Sequence, residues 1–179
     1  MSGTLTFTGA VEGERFTGRF GDFSVHYCTR GEDPASHGIE VRVVLASADS
    51  DNRDRDSALM GPEFFAVDRF PVSVWRSTAV RREDEGYLAE GELTLKGISA
   101  SQRVRYTLES GGGSLLAEGR FVLAGEAAVD RRRHDVGTGE FADPGFIRDQ
   151  VSVDFRIELA RDVTTAGPSS PLSCGVPSS

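Results

Sequence analysis

Val151, Ser152, Val153, Asp154, Phe155, Arg156, Ile157, Glu158 and Leu159 alternate apolar and polar without a break. Successive residues of a strand point to opposite faces, so this stretch has one apolar face and one solvated face. The same period of two recurs along most of the chain, with little helical periodicity. An antiparallel sheet with one apolar side must be covered or closed on itself. A closed barrel has an interior, and an interior can hold a ligand.

The pattern predicts eight strands. The first spans residues 4–10. The second, about 14–28, changes phase: Phe16 and Phe20 share one parity, whereas Phe23, Val25 and Tyr27 share the other. Gly21 and Asp22 sit at the change, which predicts a bulge within one long strand. The third carries Ile39, Val41, Val43 and Leu45 on one face, and the fourth carries Ser73, Trp75, Ser77 and Ala79. Between them, Asp54 to Met60 predicts a short helix capped by an acidic residue, with Pro62 opening a further turn. Phe64, Phe65, Val67 and Phe70 follow as an apolar cluster placed to cover one end of the barrel.

The fifth strand alternates Tyr87, Ala89, Gly91, Leu93 and Leu95 against polar residues, and the sixth carries Val104, Tyr106 and Leu108. Gly111 to Gly113 turn the chain into a seventh, with Leu115, Ala117, Gly119, Phe121 and Leu123. Residues 126–148 form a long loop before the closing strand. From Asp162 onward Thr, Ser, Gly and Pro dominate. The chain therefore divides into a barrel domain, residues 1–161, and a disordered tail, residues 162–179.

A chain of 179 residues fits one domain and needs no disulfide or metal to build its core. Its net charge of −8 is spread over interleaved acids and bases, which argues against nucleic acid as a partner. The run Arg131 to Arg133 is the one local excess of positive charge. Cys28 and Cys174 belong to no disulfide framework or zinc-binding spacing, so they are expected unpaired. No signal peptide is visible, and no apolar stretch approaches the ~20 residues of a membrane helix.

Catalytic patterns fail on context. Gly97-Ile98-Ser99-Ala100-Ser101 lies between strands with no helix after it, and reads as a turn. Gly137-Thr138-Gly139 lacks the third glycine and the βαβ unit of a dinucleotide site, and reads as a turn needing positive φ. His26, His37 and His134 are isolated in sequence, and Glu90 and Glu92 share a solvated face. No catalytic residue, metal site or cofactor is expected. The inward parity is rich in small residues, Ser73, Ser77, Ala89, Gly91, Ala117 and Gly119, which leave room for a void lined by Trp75, Phe121 and Phe155.

A set of spaced motifs carries a resemblance over roughly residues 4–160. They are Phe16-Thr17-Gly18-Arg19-Phe20, Arg55-Asp56-Ser57-Ala58-Leu59, Phe64-Phe65 leading to Phe70-Pro71, Trp75 with Ser77-Thr78, Gly91 to Gly97, and Gly137 to Phe141. In order and spacing they resemble the YceI-like polyisoprenoid-binding family. The resemblance implies an all-β fold: an eight-stranded antiparallel lipocalin-like barrel, with a short helical segment between strands 3 and 4. It also implies noncatalytic binding, storage or transport of a long isoprenoid, of polyprenyl phosphate or quinone type, in the interior. Trp75 stands where the family usually has Phe, which would narrow the channel.

The expected channel lining is Phe16, Phe20, Phe23, Val41, Val43, Leu59, Phe65, Trp75, Ser77, Leu93, Tyr106, Phe121, Val153 and Phe155. Arg131, Arg132 and Arg133 form the expected headgroup rim. The expected partner is a polyisoprenoid or quinone lipid, with a homodimer allowed, transient membrane contact at most and no nucleic acid. The family is usually periplasmic or secreted; without a signal peptide this chain is expected to be cytoplasmic or truncated at its start. Two other readings stand beside this one. An enzyme acting on a hydrophobic substrate would bring Tyr87, Tyr106, Ser73 or Ser77 together inside, near a base. An interaction module would partner a membrane electron-transfer protein, as relatives fused to cytochrome b561-like domains suggest.

Overall fold

A computed structural model describes residues 2–29, 33–109 and 120–160. Ten strands form one antiparallel sheet: β1 (Ser2–Val11), β2 (Glu14–Phe20), β3 (Phe23–Cys28), β4 (Gly38–Val44), β5 (Ala48–Asp49), β6 (Val72–Glu83), β7 (Gly86–Leu95), β8 (Ile98–Glu109), β9 (Arg120–Asp130) and β10 (Gln150–Ala160). Their order is β3-β4-β6-β7-β8-β9-β10-β1-β2-β5. The two ends of this sheet are two halves of the same strand pair. Phe20 pairs with Ala48 at one end and Phe23 pairs with Val43 at the other. Between them Gly21 N donates to Ser47 O at 3.1 Å and Val44 N donates to Asp22 O at 3.0 Å. The sheet thus closes into a barrel, and the expected eight strands become ten because two of them bend.

The first bend replaces the predicted bulge. At Gly21 and Asp22 the long second strand breaks, so β2 pairs with β1 while β3 pairs with β4. The second lies in β4 and β5, separated by the 3-10 turn Leu45–Ser47. A smaller correction falls in β6, where the register with β7 shifts between Ser77 and Ala79. One inserted residue reverses the parity beyond it, so Val80 is buried and Ala79 is exposed. The predicted loop at 126–148 also starts later, because β9 continues to Asp130.

Short hairpins set the remaining registers. Glu12 and Gly13 join β1 to β2, and Lys96 and Gly97 join β7 to β8, all four with positive φ. Two such residues in a row make the turn whose twist matches paired strands. Gly137 and Gly139 also have positive φ, as expected. The helix α1 (Arg53–Met60) is capped not by an acidic residue but by Asn52, whose side chain accepts from Arg55 N at 3.0 Å.

Apolar side chains collect in two clusters, one toward each end of the barrel. One holds Val25, Ile39, Trp75, Tyr106, Leu123 and Ile157. The other holds Phe7, Leu45, Leu59, Phe64, Phe65 and Ile147, and includes the expected aromatic cover after α1. Cys28 is disulfide-bonded, contrary to expectation. Gly111 to Gly113, Leu115, Ala117, Gly119, the 162–179 tail and Cys174 lie outside the described residues.

The ladder between β8 and β9 covers only part of their length. Arg105–Glu109 pair with residues 122–126, and no pairing extends upstream of Arg105 among the described residues. There the Gln102 side chain bridges the strands, its Nε2 donating to Ala128 O at 3.0 Å.

Candidate ligand-binding site

A cavity of about 260 Å³ runs inside the barrel and reaches both apolar clusters. Leu5, Phe7, Val25, Ile39, Leu123 and Ile157 give its wall an almost wholly hydrocarbon character. Four aromatic rings lie on this wall over glycines of a neighbouring strand. A Cβ on Gly9 would come within 2.9 Å of the Phe16 ring, on Gly91 within 2.7 Å of the Trp75 indole, and on Gly125 within 2.6 Å of the Phe155 ring. Gly18 makes the same approach to Phe7. The small inward residues therefore let large rings lie flat instead of standing into the lumen.

Most of the residues expected in the channel line it. Phe16, Phe20, Val41, Val43, Leu59 and Phe65 do so, as do Trp75, Leu93, Tyr106, Val153 and Phe155. Three do not. Phe23 and Phe121 pack beside the core at one end, and the Ser77 hydroxyl is drawn into the wall, accepting from Ile39 N at 2.9 Å. On β10 the parity runs as expected, with Val153 and Phe155 toward the cavity and Asp154 and Arg156 exposed. Two polar atoms of the wall are satisfied locally: Ser73 Oγ donates to Thr94 O at 2.9 Å, and Trp75 Nε1 donates to Gln102 O at 3.2 Å.

All three tyrosines of the chain gather at one end. Tyr87 and Tyr106 stack at 5.2 Å, Tyr27 meets Tyr106 and Phe121 edge-on, and the Tyr27 hydroxyl and His37 Nδ1 are hydrogen-bonded at 2.7 Å. His37 is buried here, not in an open polar loop as its neighbours in sequence suggest. Burial pushes the ionisation of Tyr27 and Tyr106 well above the ordinary phenol range. Of this group only Tyr106 lines the cavity, and its hydroxyl is sealed from solvent. The cluster is an aromatic plug across one end of the lumen.

The opposite end corrects the expected rim. Arg131 is 3% exposed and spends its guanidinium on the backbone. Nε donates to Arg148 O, Nη1 to Val136 O and Gly137 O, and Nη2 to Ile147 O, while Asp149 balances its charge at 3.2 Å. A buried side chain with four donors on backbone carbonyls and its charge paired to Asp149 organises the 131–149 segment and does not serve as an exposed headgroup rim. Arg132 and Arg133 are exposed, but Arg133 is held against Ser101 O and Oγ, and neither lines the cavity. His134, also buried, sits with Nδ1 2.9 Å from Ile98 O. Among the described residues no three His, Cys, Asp or Glu side chains gather as metal ligands.

Two arginines absent from the expected set do line the cavity. Arg55 lies over the Phe16 ring at 4.4 Å and donates to Ser50 Oγ and O, and Arg148 is exposed and also lines the cavity. Their isolation in sequence gave no signal, since α1 and the 131–149 segment come to line one cavity only in the fold.

Residues 2–159 match the family model described as the YceI-like domain. A UPF0312 protein of Photorhabdus laumondii is 32% identical over 82 residues, which are 46% of this chain and 43% of that protein. One from Yersinia enterocolitica is 34% identical over the same shares. The matched stretch thus spans less than half of these relatives. Burkholderia cenocepacia BcnA superposes with a TM-score of 0.80 at 21% identity, covering 88% of this chain and 96% of that one. A polyisoprenoid binding domain from Saccharophagus degradans, implicated in plant cell wall breakdown, gives 0.64 at 14% identity, covering 89% and 94%. At these identities the superpositions establish a shared fold.

Proposed function

The chain belongs to the YceI-like family, and from that premise we propose that it binds a long-chain isoprenoid lipid, of polyprenyl or quinone type, inside the barrel without altering it chemically. The observation that carries the reading is the continuous hydrocarbon lumen, kept open by rings lying over glycines. Removing an apolar tail from water contributes about 0.8 kcal/mol per buried methylene, so a branched C15 or longer tail supplies most of the affinity, less the cost of ordering it. The similarity in fold to a polyisoprenoid binding domain supports the choice of ligand. Storage or carriage follows from sequestration alone.

The enzymatic reading loses its support in the geometry. Ser73 and Ser77 are committed to the wall, Tyr87 lies in the plug off the cavity lining, and burial holds Tyr106 protonated. Native mass spectrometry of freshly purified protein, followed by lipid extraction, tests the proposal. A co-purifying isoprenoid, or uptake of an added prenol at one molecule per chain, is the expected result. A barrel that neither retains nor takes up any prenyl lipid overturns it.

A further inference from the structure

We propose that Arg55 and Arg148 form an anionic headgroup site at the mouth of the lumen, so that the preferred ligand is a single-chain lipid ending in a phosphate. The inference rests on the tail-binding reading above. Of all the residues that line the cavity, Ala58 and Arg148 are the exposed ones. The lumen therefore meets solvent between α1 and residues 147 and 148, beside Ala10, Val11 and Phe16. An amphiphile with its tail among Phe7, Phe65 and Val153 would leave its polar end there.

Two guanidinium groups meet it. The backbone of Arg148 is fixed on both sides, its N donating to Ala10 O at 3.0 Å and its O accepting from Arg131 Nε at 3.1 Å. Its side chain makes no hydrogen bond or ion pair among the described residues. Arg55 is held over Phe16, with Nε and Nη2 on Ser50 at 2.8 and 2.9 Å, which leaves Nη1 uncommitted. Of the nearby acids, Asp56 accepts from Ser50 N and Oγ and Asp149 faces Arg131 and Arg132, while Glu12 and Glu14 are exposed at the β1–β2 turn. Unused guanidinium donors thus stand at an apolar opening on a chain of net charge −8. Guanidinium forks match the oxygens of a phosphate, and stacking on an aromatic ring holds one fork in place.

The test measures binding of geranylgeranyl phosphate, geranylgeraniol and inorganic phosphate at low salt to the wild type, to R148Q and to the double variant R132Q/R133Q. The Arg148 side chain is exposed and makes no hydrogen bond or ion pair among the described residues, so R148Q is expected to keep the fold, and R55K serves as a second variant. The wild type is expected to prefer the phosphate over the alcohol by about tenfold. R148Q should bring the two ligands near parity, R55K should narrow the gap, and R132Q/R133Q should keep the preference. Raising salt should weaken it. If neither lipid binds the wild type, the tail-binding reading fails. If both bind equally, or R148Q keeps the preference, or the double variant alone loses it, the headgroup site is refuted while tail binding stands. Displacement of the lipid by an equal concentration of inorganic phosphate would mark a free-anion site and refute it too.

Discussion

Phe155 and Gly125 face each other across the β9–β10 ladder, and the ring occupies the space a Gly125 side chain would need, 2.6 Å from that Cβ position. Phe7 with Gly18 and Phe16 with Gly9 repeat the relationship across β1 and β2 as directly opposed pairs. Trp75 reaches Gly91 diagonally, since its own partner is Leu93. In each case a ring that would otherwise project across the barrel lies against the opposing backbone. The glycines determine how much lumen the aromatics leave.

This separates two glycine substitutions. At Gly9 a new Cβ meets only the Phe16 ring, so Gly9→Ala should fold and swing that ring into the mouth, shortening the longest prenyl tail bound. At Gly125 the Cβ would also collide with the Arg105 carbonyl and the Tyr106 Cα, atoms of the backbone. Gly125→Ala should therefore destabilise the fold by about 1 to 3 kcal/mol, as overpacking does. Urea denaturation with a tail-length series checks both. Equal stability loss with no change in tail length would show that the rings do not gate the lumen.

The period of two exposed the strands and most of the lining because burial on one face acts locally, residue by residue. Val153 and Phe155 could be placed from their own stretch alone. The breaks could not: Gly21 and Asp22 mark a change of phase, but only the partners, β1 on one side and β4 on the other, show that the change closes the barrel. The Thr78 bulge is silent for the same reason. Tyr27, His37, Tyr87 and Tyr106 lie on separate elements, so no spacing announces the plug. Arg131 misleads because three arginines in a row read as solvated, while the carbonyls that bury the first come from residues 136–148.

Arg131 is the organising residue of the segment beside the mouth. Arg131→Ala should cost about 3 to 5 kcal/mol, because it strips four backbone carbonyls of their donor and leaves Asp149 without the buried charge it pairs with. Arg131→Lys should recover little, as an ammonium cannot reach the same set of oxygens. Arg132→Gln should change stability by less than about 0.5 kcal/mol. Denaturant midpoints decide the matter; comparable effects at positions 131 and 132 would contradict the assignment.

Alkaline pH should unfold the barrel through its plug. Burial raises the ionisation of Tyr27 and Tyr106, so above about pH 10 the unfolded chain releases protons that the folded chain keeps. Their contribution to stability is fully present below that pH and declines as pH rises above it. Absorbance at 295 nm should show Tyr27 and Tyr106 ionising only as the far-ultraviolet dichroism is lost. Ordinary phenol titration of Tyr27 and Tyr106 with the fold intact would mean the plug is open to water.

The unzipped half of the β8–β9 pair gives the wall its weakest line. Arg105–Glu109 and residues 122–126 hold each other by a ladder, whereas residues 101–104 and 127–130 face across a seam bridged by the Gln102 side chain. Gln102 and Ala127 line both the inner cavity and a polar groove on the outer surface with Arg103, Arg105, Glu126 and Asp154, so this line separates lumen from solvent by one residue. Backbone amides pointing into the seam lack a strand partner and should exchange with solvent at least about tenfold faster than those pointing into the zipped half. Gln102→Ala removes the bridge and leaves the bond from Trp75 Nε1 to the Gln102 carbonyl intact. Its expected effect is faster exchange at residues 127–130 and faster release of a bound prenol, with little change in the denaturation midpoint. Uniform protection along β8 and β9, unaltered in Gln102→Ala, would mean that the seam is as closed as the ladder and that all traffic passes the mouth beside Arg148.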